Sequence, residues 1–219
     1  MNNICAFDEG GRQYMKLLMH TCCAPCSVYC IDSLRAEGIE PTVFWYNPNI
    51  HPYQEYKARR DCLRDYCGKI GISAIFDEDY GLDEFCKNVV KDIPNRCVNY
   101  CYKKRLTETV RYAAKNGYDT FTTTLLVSPY QKHEELKAVC EELSRLSGVK
   151  FLYRDFRVGF REGQERAREA GLYMQKYCGC IFSEEDRYRK QILRDQKREL
   201  CKTTGWLPTD QWWYQYHWR

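Results

Sequence analysis

The chain has 219 residues, a net charge of +4 and 14 cysteines, with 29% charged and 15% aromatic residues. That length suits one large α/β domain, or one domain with a small appendage, and disfavours two equal domains. Residues 1–15 are polar and mixed and no run of eighteen apolar residues occurs, so the expectation is a cytoplasmic protein with no signal segment or membrane span, whose clustered thiols serve metal or redox chemistry rather than crosslinks.

The first 15 residues form an N-terminal extension. Leu17, Leu18 and Met19 then make a short buried strand, followed by a thiol-bearing loop and a helix that Pro25 opens and Gly38 closes. Thr42–Pro48 predicts a second strand, residues 53–69 an amphipathic helix, Ile72–Phe76 a third strand, and residues 81–92 and 98–116 further helices. Thr120–Val127 is β-branched and aromatic enough for a fourth strand. A helix from Pro129 to Leu146, a fifth strand at Lys150–Asp155 and a charged helical stretch over 161–200 complete the main domain, residues 16–200. Alternating strands and helices with long crossovers predict a Rossmann-like parallel sheet with helices on both faces. Residues 201–219 form an aromatic tail, with four Trp and two Tyr from Trp206 onward; packing across the domain is the first reading of it, a stacking platform for unpaired bases the second.

Three thiol groups stand out: Cys22, Cys23 and Cys26; Cys97 and Cys101; Cys178 and Cys180. Adjacent strand residues point to opposite faces, so Cys22 and Cys23 serve one centre only if the backbone has already turned. Cys97 and Cys101 share one helical face. Soft thiolates select zinc, copper(I) or iron–sulfur clusters, and composition alone does not choose among them. The Cys178-Gly-Cys180 turn suits either a disulfide or two ligands to one metal. Tyr46, Asn47, Asn49 and His51, with Glu55, Tyr56 and Arg59 a turn or two later, are candidates to line a pocket. Ser128, Tyr130, Gln131, Lys132 and His133 follow the fourth strand at a helix start, where backbone amides favour a phosphate. Asp155, at the end of the fifth strand, is a metal ligand or the partner of an arginine.

Taken together, His20-Thr-Cys-Cys-Ala-Pro-Cys26, Tyr46-Asn-Pro-Asn-Ile-His-Pro52, Glu55-Tyr56, Cys101-Tyr with Arg105-Leu106, Thr122–Gln131, Asp155-Phe-Arg157 and Tyr177-Cys-Gly-Cys180 resemble the QueH family of cobalamin-independent epoxyqueuosine reductases, over residues 16–190. The resemblance implies an adenine-nucleotide-hydrolase-like α/β fold, a [4Fe-4S] cluster, and tRNA rather than DNA as partner. By position, the cluster ligands would be Cys22, Cys23, Cys97 and Cys101, with Cys178 and Cys180 a redox-active pair or ligands to a further iron. The family pattern places two residues between the middle cysteines; this chain has three.

Converting an epoxide to an alkene consumes two electrons and two protons and releases water, whereas a [4Fe-4S] cluster passes one electron at a time. A second store is therefore expected, either an additional mononuclear iron completed by Cys26 and Asp155 or the Cys178/Cys180 dithiol. Tyr130, His133 and His51 are the candidate proton donors. Arg59, Arg60, Lys103, Lys104, Arg105 and Lys132 are candidate phosphate contacts for a single-stranded anticodon loop. The electron donor is unidentified. The rivals are an ATP-dependent tRNA sulfur-transfer enzyme and a zinc-stapled RNA-binding module. The first is disfavoured because the loop after the first strand has no glycine to let backbone approach a pyrophosphate.

Overall fold

The computed structural model describes residues 6, 7 and 13–204; the aromatic tail from Trp206 lies outside the described residues. Within the expected N-terminal extension, β1 (Ala6–Phe7) and β2 (Gln13–Tyr14) pair antiparallel. The main sheet comprises β3 (Leu17–His20), β4 (Thr42–Trp45), β5 (Ala74–Phe76), β6 (Thr120–Thr123) and β7 (Lys150–Phe151). Its spatial order is β5-β4-β3-β6-β7, every pairing parallel, which is the Rossmann-like arrangement expected. β3, Leu-Leu-Met-His, is buried along its whole length because it is central and covered on both faces.

The helices are α1 (Ala24–Ala36), α2 (Tyr53–Ile70), α3 (Leu82–Val89), α4 (Lys103–Lys115), α5 (His133–Ser147), α6 (Phe160–Glu169) and α7 (Ile181–Thr204). α1 packs against α2 and α6, while α4 packs against α5. A side chain on Gly159 would overlap the Tyr29 ring, and one on Gly163 would crowd it, so these two glycines set how closely α6 approaches α1.

Four expected elements differ. β6 ends at Thr123, and Thr124–Val127 forms a 3-10 turn; the Thr123 hydroxyl accepts from the Leu125 backbone amide and so stops the strand. The helix expected from Pro129 begins only at His133. β7 is two residues long, and Asp155 instead caps a 3-10 turn, Phe156–Gly159, by accepting from the Arg157 amide. The stretch 161–200, expected to be helical, is so in two parts, α6 and α7, with a non-helical break over 170–180.

The chain divides into two compact units, one running up to Gln175 and one from Lys176. In the second unit the Cys178-Gly179-Cys180 turn leads into α7. It is pinned there by Ser183, whose hydroxyl donates to the Cys180 carbonyl (2.6 Å) and accepts from the Gly179 amide (3.1 Å). Among the described residues no helix is long and apolar enough to cross a membrane.

Candidate metal and redox site

In a parallel sheet all carboxyl ends share one edge, and ligands collect where the winding reverses. Here the chain winds from β3 out to β4 and β5, then returns to β6 and β7 on the other side, so the reversal lies between β3 and β6. The first thiol group sits there. β3 stops at His20, Cys23 caps α1 in an extended conformation, and Pro25 occupies the first helical turn. The backbone thus turns between Cys22 and Cys23, which lets two adjacent side chains meet.

The sulfurs of Cys22, Cys23 and Cys26 all lie within 4.8 Å of one another and are buried; among the described residues they form the only close group of His, Cys or acidic side chains with metal-binding potential. Cys22 Sγ is 3.8 Å from Cys23 Sγ. Thr124 Oγ1 bridges to the other side of the reversal: it accepts from the Cys22 amide at 3.3 Å and donates toward Cys22 Sγ at 3.7 Å. Asn47 Nδ2 donates to the Thr21 carbonyl at 2.9 Å.

Beneath this loop His20 is fully buried. Its Nδ1 accepts from Thr123 Oγ1 (2.9 Å) and its Nε2–H faces the Tyr46 carbonyl (3.3 Å). The Tyr46 carbonyl can only accept, so Nε2 carries the proton, Nδ1 accepts from the Thr123 hydroxyl, and the tautomer follows. Burial, then the nearby Arg105 cation, pull the His20 pKa down to about 3, so the ring is neutral and serves as a fixed strut.

The three thiols differ in acidity. Hydrogen bonds from Cys23 and Cys26 hold the Cys22 thiol well below its ordinary value. Burial, then the bond to Cys22, push Cys23 up; bonds to Cys22 and Cys23, then burial, push Cys26 up. Three buried acids this close cannot all ionise without a cation. Such a trio gives one ready thiolate and two thiols that a soft metal would deprotonate.

The second thiol group lies on a π-helical turn, Cys97–Tyr102, at the head of α4. Since α4 leads into the start of β6, its head lies at the carboxyl edge of the sheet with the first group. The π turn carries both Cys97 and Cys101, with three residues between them. A hydrogen bond from Cys101, then the Arg96, Arg105 and Lys132 cations, pull Cys97 down to about 6 against burial. The π turn is tied to the loop after β6: Tyr102 Oη donates to Gln131 Oε1 (2.8 Å) and accepts from the Lys132 amide (3.1 Å).

Two buried arginines face the thiols, and this corrects their expected place as phosphate contacts. Arg59 is 1% exposed; its Nε donates to Glu55 Oε1 (2.7 Å), and Glu55 Oε2 accepts from Tyr173 Oη (2.5 Å). Its charge acts on Cys23. Arg105 is 3% exposed, and its Nε donates to the Cys101 carbonyl at 2.9 Å. Its charge lowers the pKa of both Cys22 and Cys97. Neither guanidinium can reach a phosphate in solvent without being uncovered. Arg60 and Lys104 are paired with carboxylates: Arg60 with Asp61 and Glu78, Lys104 with Glu84.

The other expected site residues separate into two sets. Tyr46, Asn47, Asn49 and His51 are all buried at the carboxyl end of β4. His51 packs against the rings of Tyr80 (5.3 Å) and Phe85 (4.7 Å), and burial lowers its pKa to about 4. At neutral pH it is an uncharged imidazole, which makes it a weak acid for catalysis. His133 is buried with Nε2 3.1 Å from Tyr153 Oη. Tyr130 is 84% exposed, its ring edge-on to Phe160, and Ser128 Oγ accepts from the Tyr130 amide. Asp155, expected as a metal ligand or the partner of an arginine, here pairs with an arginine. It is exposed and doubly bonded to Arg157 through Nε (2.8 Å) and Nη2 (2.6 Å), which lowers its pKa to about 2, and it lies outside the sulfur cluster. None of the thirteen described cysteines is in a disulfide, the exposed Cys178 and the buried Cys180 included.

Residues 17–186 match the family described as epoxyqueuosine reductase QueH. The chain belongs to the QueH family. It is 38% identical to epoxyqueuosine reductase QueH of Dehalococcoides mccartyi over 175 residues, covering 80% of this chain and 96% of that one. The Thermotoga maritima relative of the same name is 33% identical over 192 residues, covering 83% and 97%. That of Histophilus somni is 32% identical over 196 residues, covering 85% and 80%. Among solved structures, the U34-tRNA thiolase NcsA from Methanococcus maripaludis with its [4Fe-4S] cluster superposes with a TM-score of 0.44 at 16% identity, covering 90% of this chain and 70% of that one.

Sequence reasoning named the thiols and missed what surrounds them. His20 and Arg105 stood inside quoted motifs without these roles. Tyr173 and Gln175 went unnoticed, although both stand a few residues before the Cys178 turn.

Proposed function

We propose that this protein reduces epoxyqueuosine to queuosine in the anticodon loop of tRNA, the last step in making that modified base. Membership of the QueH family and the buried sulfur trio at the winding reversal support this reading, and the trio is the observation that carries it. The reaction removes the epoxide oxygen as water and takes two electrons and two protons, the electrons coming from an external reductant.

The residues present fit an iron–sulfur cofactor. The donors are all sulfur, the sites are buried, and two cations, on Arg59 and Arg105, act on the thiols. Cys22, Cys23, Cys97 and Cys101 would hold a [4Fe-4S] cluster, and the second electron would be stored either on a further iron completed by Cys26 or in the Cys178/Cys180 dithiol. Bound there, iron supplies single-electron transfer and a Lewis acid for oxygen. The chain's own residues do the rest. His20 and Thr124 fix the loop that bears Cys22, and Arg105 offsets negative charge on both thiol groups. Burial excludes water from the sulfurs. Tyr130, exposed beside the loop after β6, is placed to meet an unpaired base by stacking.

Anaerobic turnover of epoxyqueuosine-containing tRNA with a chemical reductant tests the activity, and iron and acid-labile sulfide analysis tests the cofactor. Formation of queuosine with iron and sulfide present is the expected result. Zinc alone, with no turnover, would favour a zinc-stapled RNA-binding module instead. tRNA binding should weaken with added salt.

A further inference from the structure

Gln175 has no part in the site as read so far, yet its side chain touches the thiols directly. Its Nε2 lies 3.0 Å from Cys23 Sγ and 3.5 Å from Cys26 Sγ. Its Oε1 is buried with no hydrogen-bond partner among the described residues. A carboxamide nitrogen carries two donors and accepts nothing, whereas its oxygen only accepts. A protonated sulfur would be served by the oxygen, to which S–H can donate. A sulfur that has lost its proton is served only by N–H. The side chain turns its donors to sulfur and leaves a buried acceptor unsatisfied, an arrangement unfavourable by itself and favourable once those sulfurs carry negative charge.

The backbone that carries Gln175 is anchored independently. Gly171, at φ +67°, ends α6, and the Leu172 amide returns to the Ala167 carbonyl at 2.9 Å. The Tyr173 amide donates to Cys62 Sγ on α2 (3.2 Å), and the Tyr173 hydroxyl donates to Glu55. Gln175 therefore reaches the thiols from a strap fixed along α2, not from the loop that bears the sulfurs.

We propose that Gln175 is a positioning residue for the metal-bound form of this site: its two amide hydrogens span the Cys23 and Cys26 sulfurs, hold them side by side and stabilise their thiolate charge. The inference rests on the reading that these thiols bind a metal. It gives the segment 171–175 a task separate from that of the Cys178 turn that follows, namely to hold ligands and not to be one. Groups that hydrogen-bond metal ligands commonly affect metal affinity about 10–100-fold.

The test is an anaerobic titration of the reduced, metal-free full-length chain with cobalt(II), followed by sulfur-to-cobalt charge-transfer absorption. Gln175→Leu should weaken binding about 10–100-fold. Gln175→Glu, equal in shape but with a carboxylate facing the sulfurs, should weaken it at least as much. Thermal melting of the metal-free proteins should be the same for all three. Parental affinity in either variant overturns the proposal. So does a loss of affinity matched by an equal loss of metal-free stability, which would assign Gln175 to folding. If the parent chain binds no cobalt while melting cooperatively, the metal reading itself fails and the proposal falls with it.

Discussion

In the loop after β3, three sulfurs are buried and crowded, and their acidities split so that Cys22 ionises at the expense of Cys23 and Cys26. On the π turn, Cys97 is half-buried and drawn to about 6 by Cys101 and three cations. The first group is set by shape: strand end, helix cap, Thr124 and Asn47 leave its sulfurs little freedom, and burial resists further ionisation. In the second, a hydrogen bond from Cys101 and then three cations favour the thiolate, so Cys97 is ionised at neutral pH before any metal arrives. A centre drawing on both would meet the charged π turn readily and gain its geometry from the loop, with Arg105 acting electrostatically on each. The two arginines divide in the same way. Arg59 is neutralised by Glu55, which Tyr173 pins; Arg105 has no carboxylate within ion-pair distance among the described residues. A buried cation without an acidic partner is costly unless an anion comes to it, and thiolate-bound metal is such an anion.

The sharpest way to break this comparison is to remove one sulfur from each group. Cys22→Ser and Cys97→Ser should each reduce iron content and turnover to background after anaerobic reconstitution. Full iron in Cys97→Ser would show that the two groups do not share a centre. Next in size is Arg59→Leu, which strands Glu55 in a buried place. Urea unfolding should show a loss of about 3–5 kcal/mol, and Glu55→Gln added to it should restore part of that. Unchanged stability would mean the pair is solvated in solution.

A smaller effect concerns acidity alone. In metal-free protein, Cys97 should alkylate with a midpoint near pH 6, since its folded pKa is about 6. Cys101→Ala should move the midpoint toward that of an ordinary thiol, slowing the reaction at pH 6.5 by about tenfold or more. Mass spectrometry of labelled peptides reads this directly, and an unmoved midpoint would assign the acidity to the cations instead.

The smallest concerns His51, whose pKa burial lowers from 6.5 to about 4. Between those values the unfolded chain takes up a proton that the folded chain refuses. The stability His51 contributes is therefore whole above pH 6.5 and is lost as pH falls toward 4. The shift corresponds to about 3 kcal/mol, which solvent screening reduces to on the order of 2 kcal/mol, and His51→Phe, which suits the pocket of Tyr80 and Phe85, should flatten that part of the profile. An unchanged slope in the variant would place the titration elsewhere.

Much of the fold was legible because its signals are local. Leu17–Met19, Pro25 and Gly38 mark a strand, a helix start and a stop whatever surrounds them, and α1 and α2 fall within a residue or two of expectation. The failures share a cause. Thr120–Val127 has the composition of a strand throughout, but the Thr123 hydroxyl captures the Leu125 amide and ends it. The Asp155 and Arg157 side chains close on each other and turn what looked like a strand end into an exposed cap. In both places a polar side chain competes with the sheet for a backbone donor, and propensity does not record that contest.

The sequence by itself determined the kinds of chemistry on offer: three sulfur groups, a parallel α/β frame to carry them and the family resemblance that joins them. Tertiary structure alone decided which of those sulfurs meet, which arginines turn inward, and that an uncharged histidine and a glutamine attend the thiols. Residue type and spacing fix what a side chain can do. Burial and the contacts between Cys22 and Thr124, or Cys23 and Gln175, which lie more than a hundred residues apart along the chain, fix whether it is charged and what it faces.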